Sequence, residues 1–351
     1  MVAPGDKVDD FSAVFESSLK DIAQRTDPST RCLILSGGVD TCAILQAASQ
    51  IGMTFAAAVT VVTGDDSPDG AFATAAAKQH GLPHFIVKLN AKELVETQLK
   101  PCIQELETFD GMTLRNSLVV AAAFQKVAEL GFNDAIVGDG ADELFGGYSF
   151  TWKTEDSKEW KEKRDSMCAR WTFATESLAN MHGLKSHSPY MEPQMVDWSI
   201  ENTQRSDCIG KRPIQLVYGG EYQDHITGKI ILRQAYETVA SWRRKDPIEV
   251  GSGITVIGHD EYWKDIISDE EFKTETKALL ERGFVISSNE NLVNFRVFEE
   301  CFGRQEGNEI IVELPNKKRL ELGHGCKGCC FEIADSTFCH VCGAYPAQRD
   351  S

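Results

Sequence analysis

Long apolar runs are missing from this sequence: nowhere do roughly twenty apolar residues follow one another, as a bilayer-spanning helix requires. The first ten residues, Met-Val-Ala-Pro-Gly-Asp-Lys-Val-Asp-Asp, hold no apolar core of the kind a secretory leader has. A soluble, cytoplasmic chain with no membrane partner is the expectation. Positive charge is scarce as well. Lys and Arg number 36 against 53 Asp and Glu, a formal net charge of −17. That balance argues against nucleic acid as a partner, because such affinity rests on cations neutralising phosphates. Low-complexity tracts are absent, and 42% hydrophobic with 25% charged residues is ordinary globular composition. At 351 residues there is room for one large or two moderate domains. Cysteine is the exception to scarcity: there are eleven, and five crowd into residues 326–342. In a cytosol-like sequence, such crowding reads as metal ligation rather than a disulfide framework.

The stretch from Arg31 to Thr41 organises the rest. A short apolar β-run, Cys32 to Leu35, feeds into Ser36-Gly37-Gly38-Val39-Asp40-Thr41, and a helical pattern, Cys42 to Ile51, follows at once. Two glycines allow close backbone approach, and the helix N-terminus points N–H groups at an anion. Leu35, Ser36, Gly37, Gly38, Asp40 and Thr41 are thus candidate polyphosphate-binding residues, with Asp40 suited to hold magnesium. No Gly-Lys-Ser/Thr follows, so this is not the Walker A pattern. The order strand, Ser-Gly-Gly-x-Asp-Thr, helix resembles the pyrophosphate loop of enzymes that cleave ATP between its α and β phosphates. A plain Gly-Gly turn before a helix is the other reading of the loop alone.

Around it the periodicity alternates. Residues 8–25 read as an amphipathic helix, with Phe11, Val14, Phe15, Leu19 and Ile22 three or four apart. Strands are expected at Thr54–Val62, His84–Val87 and Asp134–Val137, and helices at Ala71–His80, Lys92–Leu106 and Leu114–Leu130. Strands alternating with helices predict a parallel sheet with ligands at the carboxyl ends of its strands. The turn after Val137, Gly138-Asp139-Gly140-Ala141-Asp142-Glu143-Leu144-Phe145-Gly146-Gly147-Tyr148, lies at such an end. Its Asp142 would give magnesium a second carboxylate beside Asp40.

Gly-x-Gly-Ala-Asp-Glu-Leu-Phe-Gly-Gly-Tyr, some hundred residues after Ser-Gly-Gly-x-Asp-Thr, resembles the synthetase domain of the asparagine synthetase family. Glu107-Thr-Phe-Asp110 with Thr113-x-Arg115-x-Ser117 is similar to the family segment before this loop. Lys229-Ile-Ile-Leu-Arg233, Trp242-Arg-Arg-Lys245-Asp-Pro247 and Gly251-Ser-Gly253 resemble the helix and basic loop over the active site. Ser268-Asp-Glu-Glu-Phe272 and Asn294-Phe-Arg-Val-Phe-Glu-Glu300 resemble the closing helices. The resemblance covers roughly residues 10–303. It implies an AMP-forming, ATP-dependent carbon–nitrogen ligase that makes an acyl-adenylate and passes it to ammonia or an amine. Lys245 is then the lysine that stabilises phosphate charge, Val61 and Val62 line the adenine, Gly138 belongs to the nucleotide loop, and Arg115 and Ser117 lie near the acyl substrate.

The chain also departs from that pattern. Asp139 stands between the loop glycines where the synthetases carry Glu and a lactam-forming relative Tyr, and a carboxylate base one methylene shorter reaches less far. Lys185-Ser-His187-Ser-Pro-Tyr-Met-Glu192 stands where the family has Glu-x-Arg-x-Pro-Phe/Tyr-Leu-Asp, placing Lys185 and His187 in the expected substrate pocket. A carboxylate other than plain aspartate is therefore expected. Glutamine-dependent members begin with a nucleophilic cysteine, whereas this chain begins Met1-Val2 about thirty residues before the loop. The expectation is a glutaminase-independent enzyme, fed with nitrogen by free ammonia, a substrate amine, or a separate glutaminase or carrier protein.

Beyond Glu306, Glu309–Leu314 and Arg319–Leu322 read as a hairpin. It leads to Cys326-x2-Cys329-Cys330-x9-Cys339-x2-Cys342, whose two Cys-x2-Cys pairs suit a structural zinc ion, an iron–sulfur cluster being the alternative. Cys330 is left over, either a buried packing residue or an alternative ligand. The fold expected is α/β, a parallel sheet of the pyrophosphate-loop adenine-nucleotide type. Residues 1–303 form one domain, with the sheet at about 28–150 and a helical part at about 151–303, and 304–351 carry the hairpin and zinc knuckle. ATP, magnesium and structural zinc are the implied cofactors. Two other readings stay open: a pyrophosphate-loop enzyme that transfers sulfur to RNA or a small molecule, and a non-catalytic nucleotide-binding relative.

Overall fold

The computed structural model describes residues 4–64, 67–307, 309–333 and 337–348. By packing, the chain divides into two compact units: Met1–Lys88 with Ala123–Gly253, and Leu89–Ala122 with Ile254–Ser351. This differs from the division expected at residue 303. The tail 304–351 belongs with Ile254 onward and with the segment from Leu89, rather than standing apart.

The first unit opens with α1 (Pro4–Arg25), whose Phe11, Phe15, Leu19 and Ile22 are all fully buried. Phe15 lies 4.8 Å from Tyr190 and 5.5 Å from Tyr236, ring centre to ring centre, so the stripe drives α1 into an aromatic core. Then come β1 (Arg31–Ile34), α2 (Val39–Gln50), β2 (Ala57–Val62), α3 (Pro68–Gln79) and β3 (His84–Lys88). After α4 (Ala91–Leu106) and α5 (Gly111–Glu129), the chain supplies β4 (Asp134–Ile136), α6 (Ala141–Phe145) and β5 (Lys185–His187). All five strands are parallel, in the order β3-β2-β1-β4-β5. The direction of winding reverses between β1 and β4, the position at which open α/β sheets leave a crevice at the strands' carboxyl ends. Every residue of β2 is buried, which its apolar run, broken only by Thr60, anticipates, while β3 is a half-exposed edge.

Arg31, at the start of β1, is buried. Its guanidinium donates to Thr26 Oγ1 at 2.6 Å and to the carbonyls of Ala23, Thr26 and Thr54. A buried cation satisfied by the last carbonyls of α1 ties that helix to the sheet.

The second half is largely helical, as expected, and also carries strands. Lys185–His187 adds the fifth strand, and β6 (Gly210–Gln215) pairs with β7 (Tyr222–Thr227) as an antiparallel hairpin. Strands this short, with polar residues on both faces, carry little period-2 signal.

In the second unit α4 begins with a capping box, Asn90 accepting from the Glu93 N–H and Glu93 from that of Asn90. The core here is aromatic: Phe109 lies 5.1 Å from Phe298, and Phe284 lies 4.6 Å from Phe295. The tail hairpin also differs from expectation. β9 (Glu309–Val312) pairs with the preceding β8 (Gly303–Glu306) in antiparallel register. Arg319 instead makes a single bridge with Phe331.

Removing Phe15 tests the α1 anchor. Phe15→Ala should lower stability by about 3–5 kcal/mol in urea denaturation, as expected for a large aromatic deleted from a packed core; a loss under about 1 kcal/mol would show that α1 is dispensable.

Candidate active site

The connection from β1 to α2 is only Leu35–Gly38. Leu35 is buried and its N–H donates to Val59 O at 2.9 Å, so the strand ladder runs to the loop's edge. Gly37 has φ of +68°, and a Cβ there would sit 2.6 Å from Asp69 O and 2.7 Å from Ala73 N. Both the turn and the approach of α3 therefore demand glycine. Gly38 caps α2 without a side chain, leaving the helix N-terminus to an anion. Asp40 and Thr41 stand in the first turn, and Ser36 Oγ is 3.2 Å from Thr41 Oγ1.

The second loop comes to the first, as their shared position at the strand ends implies. A Cβ on Gly138 would lie 3.0 Å from Asp40 Cβ and 3.3 Å from Thr41 Cγ2. From α6, Asp142 faces Asp40, and between them stands Lys229. Its Nζ is 2.6 Å from Asp40 Oδ2 and 2.7 Å from Asp142 Oδ1, and its side chain is wholly buried. Lys229 adopts φ of +61°, and its N–H is held by Phe145 O at 2.8 Å. The Gly146-Gly147 pair explains itself here: a Cβ on Gly147 would fall 1.7 Å from Asp142 Oδ1 and 2.5 Å from Lys229 Cε.

Lys245 Nζ is 3.1 Å from Asp142 Oδ2. Burial works against its charge, but Asp142 and Asp40 outweigh burial and raise its pKa, so the ammonium persists. For Asp142, burial raises the pKa, and Lys229 and Lys245 together more than reverse that, leaving it well below the usual carboxylate range. Asp40 Oδ1 is buried without a hydrogen-bond partner, which leaves a lone pair aimed at a cation and fits the magnesium ligation expected of this residue.

Within the basic run 243–245 each residue does a different task. Arg243 is buried, donating to Gly37 O at 2.7 Å and to Asp69 Oδ1 at 2.6 Å over the face of Phe72, so it clamps the phosphate loop to α3. Arg244 pairs with Asp246, and Lys245 alone turns to the crevice carboxylate. Sequence reasoning missed Lys229 and Arg243 as site-building residues, although both lie in motifs it singled out.

Asp139 lies beside this cluster. Burial lifts its carboxyl to about 6, a Thr175 hydrogen bond pulls the other way, and Glu143, Asp142 and Asp40 add upward pressure. Val61 and Val62 end β2 buried, where Thr63 N donates to Ser252 O at 2.8 Å and Ser67 Oγ to Gly251 O at 2.6 Å, closing the 247–253 segment over the strand end.

Lys185 is not brought to the crevice. In the parallel register it lies opposite Asp134, which lies opposite Arg31, so it starts β5 at the amino end of the sheet, exposed. His187 spends its ring on Asp134, with Nε2 2.8 Å from Oδ1. The residues of that motif that do reach the loops are Ser188, donating to Asp139 O at 2.6 Å, and Tyr190, donating to Asp40 O at 2.9 Å. Arg115 and Ser117 belong to the second unit and are engaged inside it: Arg115 Nη1 donates to Glu290 Oε2 at 2.5 Å and Ser117 Oγ to Thr113 O at 2.8 Å.

Also in the second unit, the thiols of Cys326, Cys329, Cys339 and Cys342 lie within 4.8 Å of one another. Cys326 and Cys342 are 3.5 Å apart and Cys329 and Cys339 3.6 Å, close to the edge of a tetrahedron around one ion with about 2.3 Å bonds. Gly328 leaves room for Cys342 Sγ, which a Cβ would meet at 2.9 Å. Cys330 stays out of the cluster, buried with its Sγ 3.7 Å from Gly283 O.

Comparison with known proteins bears on the first unit above all. The family model described as asparagine synthase matches residues 20–205, more than half of the chain. Asparagine synthetase B (glutamine-hydrolyzing) of Escherichia coli is 24% identical over 263 residues, 71% of this chain and 44% of that protein. The probable asparagine synthetase of Dictyostelium discoideum is 26% identical over 230 residues, 59% of this chain and 38% of that one. The chain thus spans less than half the length of these relatives. Among solved structures, NMN synthetase from Francisella tularensis aligns at 12% identity and TM-score 0.28, covering 52% of this chain and 94% of that one.

Asp139 supplies a pH test. Its carboxyl titrates near 6 in the folded chain against an ordinary 3.8, so folding takes up a proton between those values. Its contribution is most favourable below pH 4 and is lost as pH rises through 6, where the ionised group is a cost. Asp139→Asn should therefore stabilise the chain at pH 8 by about 2 kcal/mol, after discounting for partial exposure, and by much less at pH 4. Equal effects in urea melts at both pH values would refute the raised pKa.

Proposed function

The chain belongs to the asparagine synthase family, and on that footing we propose that its crevice joins a carboxylic acid to ammonia or a primary amine at the expense of ATP, releasing AMP and pyrophosphate. The observation that carries this reading is the convergence of Lys229 and Lys245 on Asp40 and Asp142 beside the uncapped N-terminus of α2. Two fixed ammonium groups and a helix N-terminus form a cradle for a departing pyrophosphate. In the first step a substrate carboxylate oxygen attacks the α-phosphorus, and the bond to the bridging oxygen breaks. In the second the amine nitrogen attacks the acyl carbon, AMP leaves, and a proton passes to a base.

Lys245 takes up charge at the phosphates in both steps. Lys229 holds the two carboxylates in place and offsets their charge, so that the polyphosphate does not meet two unpaired anions. Asp139, its pKa near neutrality, is suited to take the amine's proton. Magnesium bound at Asp40, with Asp142 opposite, would neutralise the polyphosphate. Because Asp139 is shorter than the glutamate expected at this position of the loop, the acyl group it serves differs from plain aspartate. The nitrogen arrives as free ammonia, an amine or the product of a separate glutaminase. The four clustered thiols hold a structural zinc ion.

Two experiments test these assignments. Pyrophosphate release should be measured across a panel of carboxylic acids, with ammonia present or absent. AMP and pyrophosphate are expected, and Lys245→Ala should lower turnover about 100-fold or more. ADP and phosphate as products would remove the adenylation mechanism. For the thiols, metal analysis of chain purified without chelator should give one zinc per chain, absent from a Cys339→Ser/Cys342→Ser double variant. A folded chain without zinc, or with stoichiometric iron and sulfide, would overturn the zinc assignment.

A further inference from the structure

Glu143 follows Asp142 on α6 yet takes no part in the lysine cluster. Its carboxylate is buried and accepts the Tyr148 hydroxyl at 2.6 Å. Around it opens a cleft of about 340 Å³ walled by Tyr148, Phe150, Trp171 and Phe173, with the exposed Arg170 on its lining. Tyr148 and Phe150 stack with ring centres 5.4 Å apart, and Trp171 packs 5.6 Å from Phe173. Phe150 is 66% exposed, a large ring left in solvent beside a buried carboxylate. The cleft adjoins the Gly138–Asp142 turn, since Trp171 Cζ3 would lie 3.6 Å from a Cβ on Gly140.

Four aromatic rings around one carboxylate are a receptor for a cation with an apolar body. Ammonia is far too small to use it: a water-sized molecule needs about 30 Å³, roughly a tenth of this space. An anion would meet Glu143 at the floor.

We propose that this cleft receives the attacking nucleophile and that the nucleophile is a primary amine bearing an aromatic or bulky apolar group, its nitrogen at Glu143 and its body between the rings. The assignment rests on the ligase reading above, for which it names the class of amine. The amine enters as an ammonium beside Glu143 and gives one proton to solvent water. Its lone pair then attacks the acyl carbon, and the bond from that carbon to the adenylate oxygen breaks. AMP leaves, and the second proton passes to Asp139. The product is a secondary amide rather than a primary one.

The test is direct binding to the full chain without ATP, by titration calorimetry, using 2-phenylethylamine as probe, with ethylamine and 3-phenylpropionate as controls. Saturable binding of 2-phenylethylamine is expected, about tenfold or more tighter than ethylamine, with none for 3-phenylpropionate. Glu143→Gln and Trp171→Ala should each weaken it about tenfold. Phe150→Ala, at an exposed position that the core does not need, should weaken it measurably and guards against a folding artefact. Equal binding of the acid and the amine, no saturable binding, or an unchanged affinity in Phe150→Ala and Glu143→Gln would overturn the proposal. Isotope exchange between ATP and pyrophosphate, run with carboxylate and no amine, separates the two readings. Exchange without amine binding sinks the cleft alone, and amine binding without exchange sinks the ligase reading while the cleft remains an amine site.

Discussion

One buried ammonium ties together the two loops of the first unit. Lys229 sits between Asp40 and Asp142 with no exposure to solvent, touching a carboxylate from each of the two loops that meet at the sheet's winding reversal. Without it, two carboxylates would face each other in a site of low polarity, and one would have to bind a proton or swing away. The glycines follow from it. Gly147 has no side chain because Asp142 and Lys229 occupy that space, and Gly228 has none because a Cβ would meet Gly146 O at 2.0 Å. A polar interaction has thus dictated where the backbone must be bare.

Much of this was written locally and could be read. The phosphate loop is one short strand, a glycine turn and a helix N-terminus, all within about a dozen residues, so its chemistry does not depend on distant partners. The parallel sheet followed from alternating apolar periods, and the tail thiols from two Cys-x2-Cys pairs whose bite is set by local turns. That the two loops would meet was legible from their shared position at strand ends, and Gly138 against Asp40 bears it out.

What escaped has a common cause. Lys229 and Arg243 look in sequence like solvated charges; only packing shows that one is walled in by two carboxylates and the other is folded over Phe72 to reach a loop carbonyl. Lys185 failed in the opposite direction. A motif position suggested a pocket, but strand register puts it level with the first residues of β1 and β4, two residues short of the end that carries the loops. The β6–β7 hairpin and β8, the true partner of the expected strand at Glu309, were missed because short polar strands have no hydrophobic alternation to betray them.

The spread of the cluster along the chain also sets an order of events during synthesis. Asp40 and Asp142 are made early, but the lysines that neutralise them are residues 229 and 245. A nascent chain that ends before residue 229 holds both loops and neither counter-charge, so mutual repulsion keeps the crevice from closing on itself. The strands can begin to pair while the ribosome is still at work. The cluster of Lys229 and Lys245 with the two aspartates cannot, and its completion waits until the second basic segment has emerged.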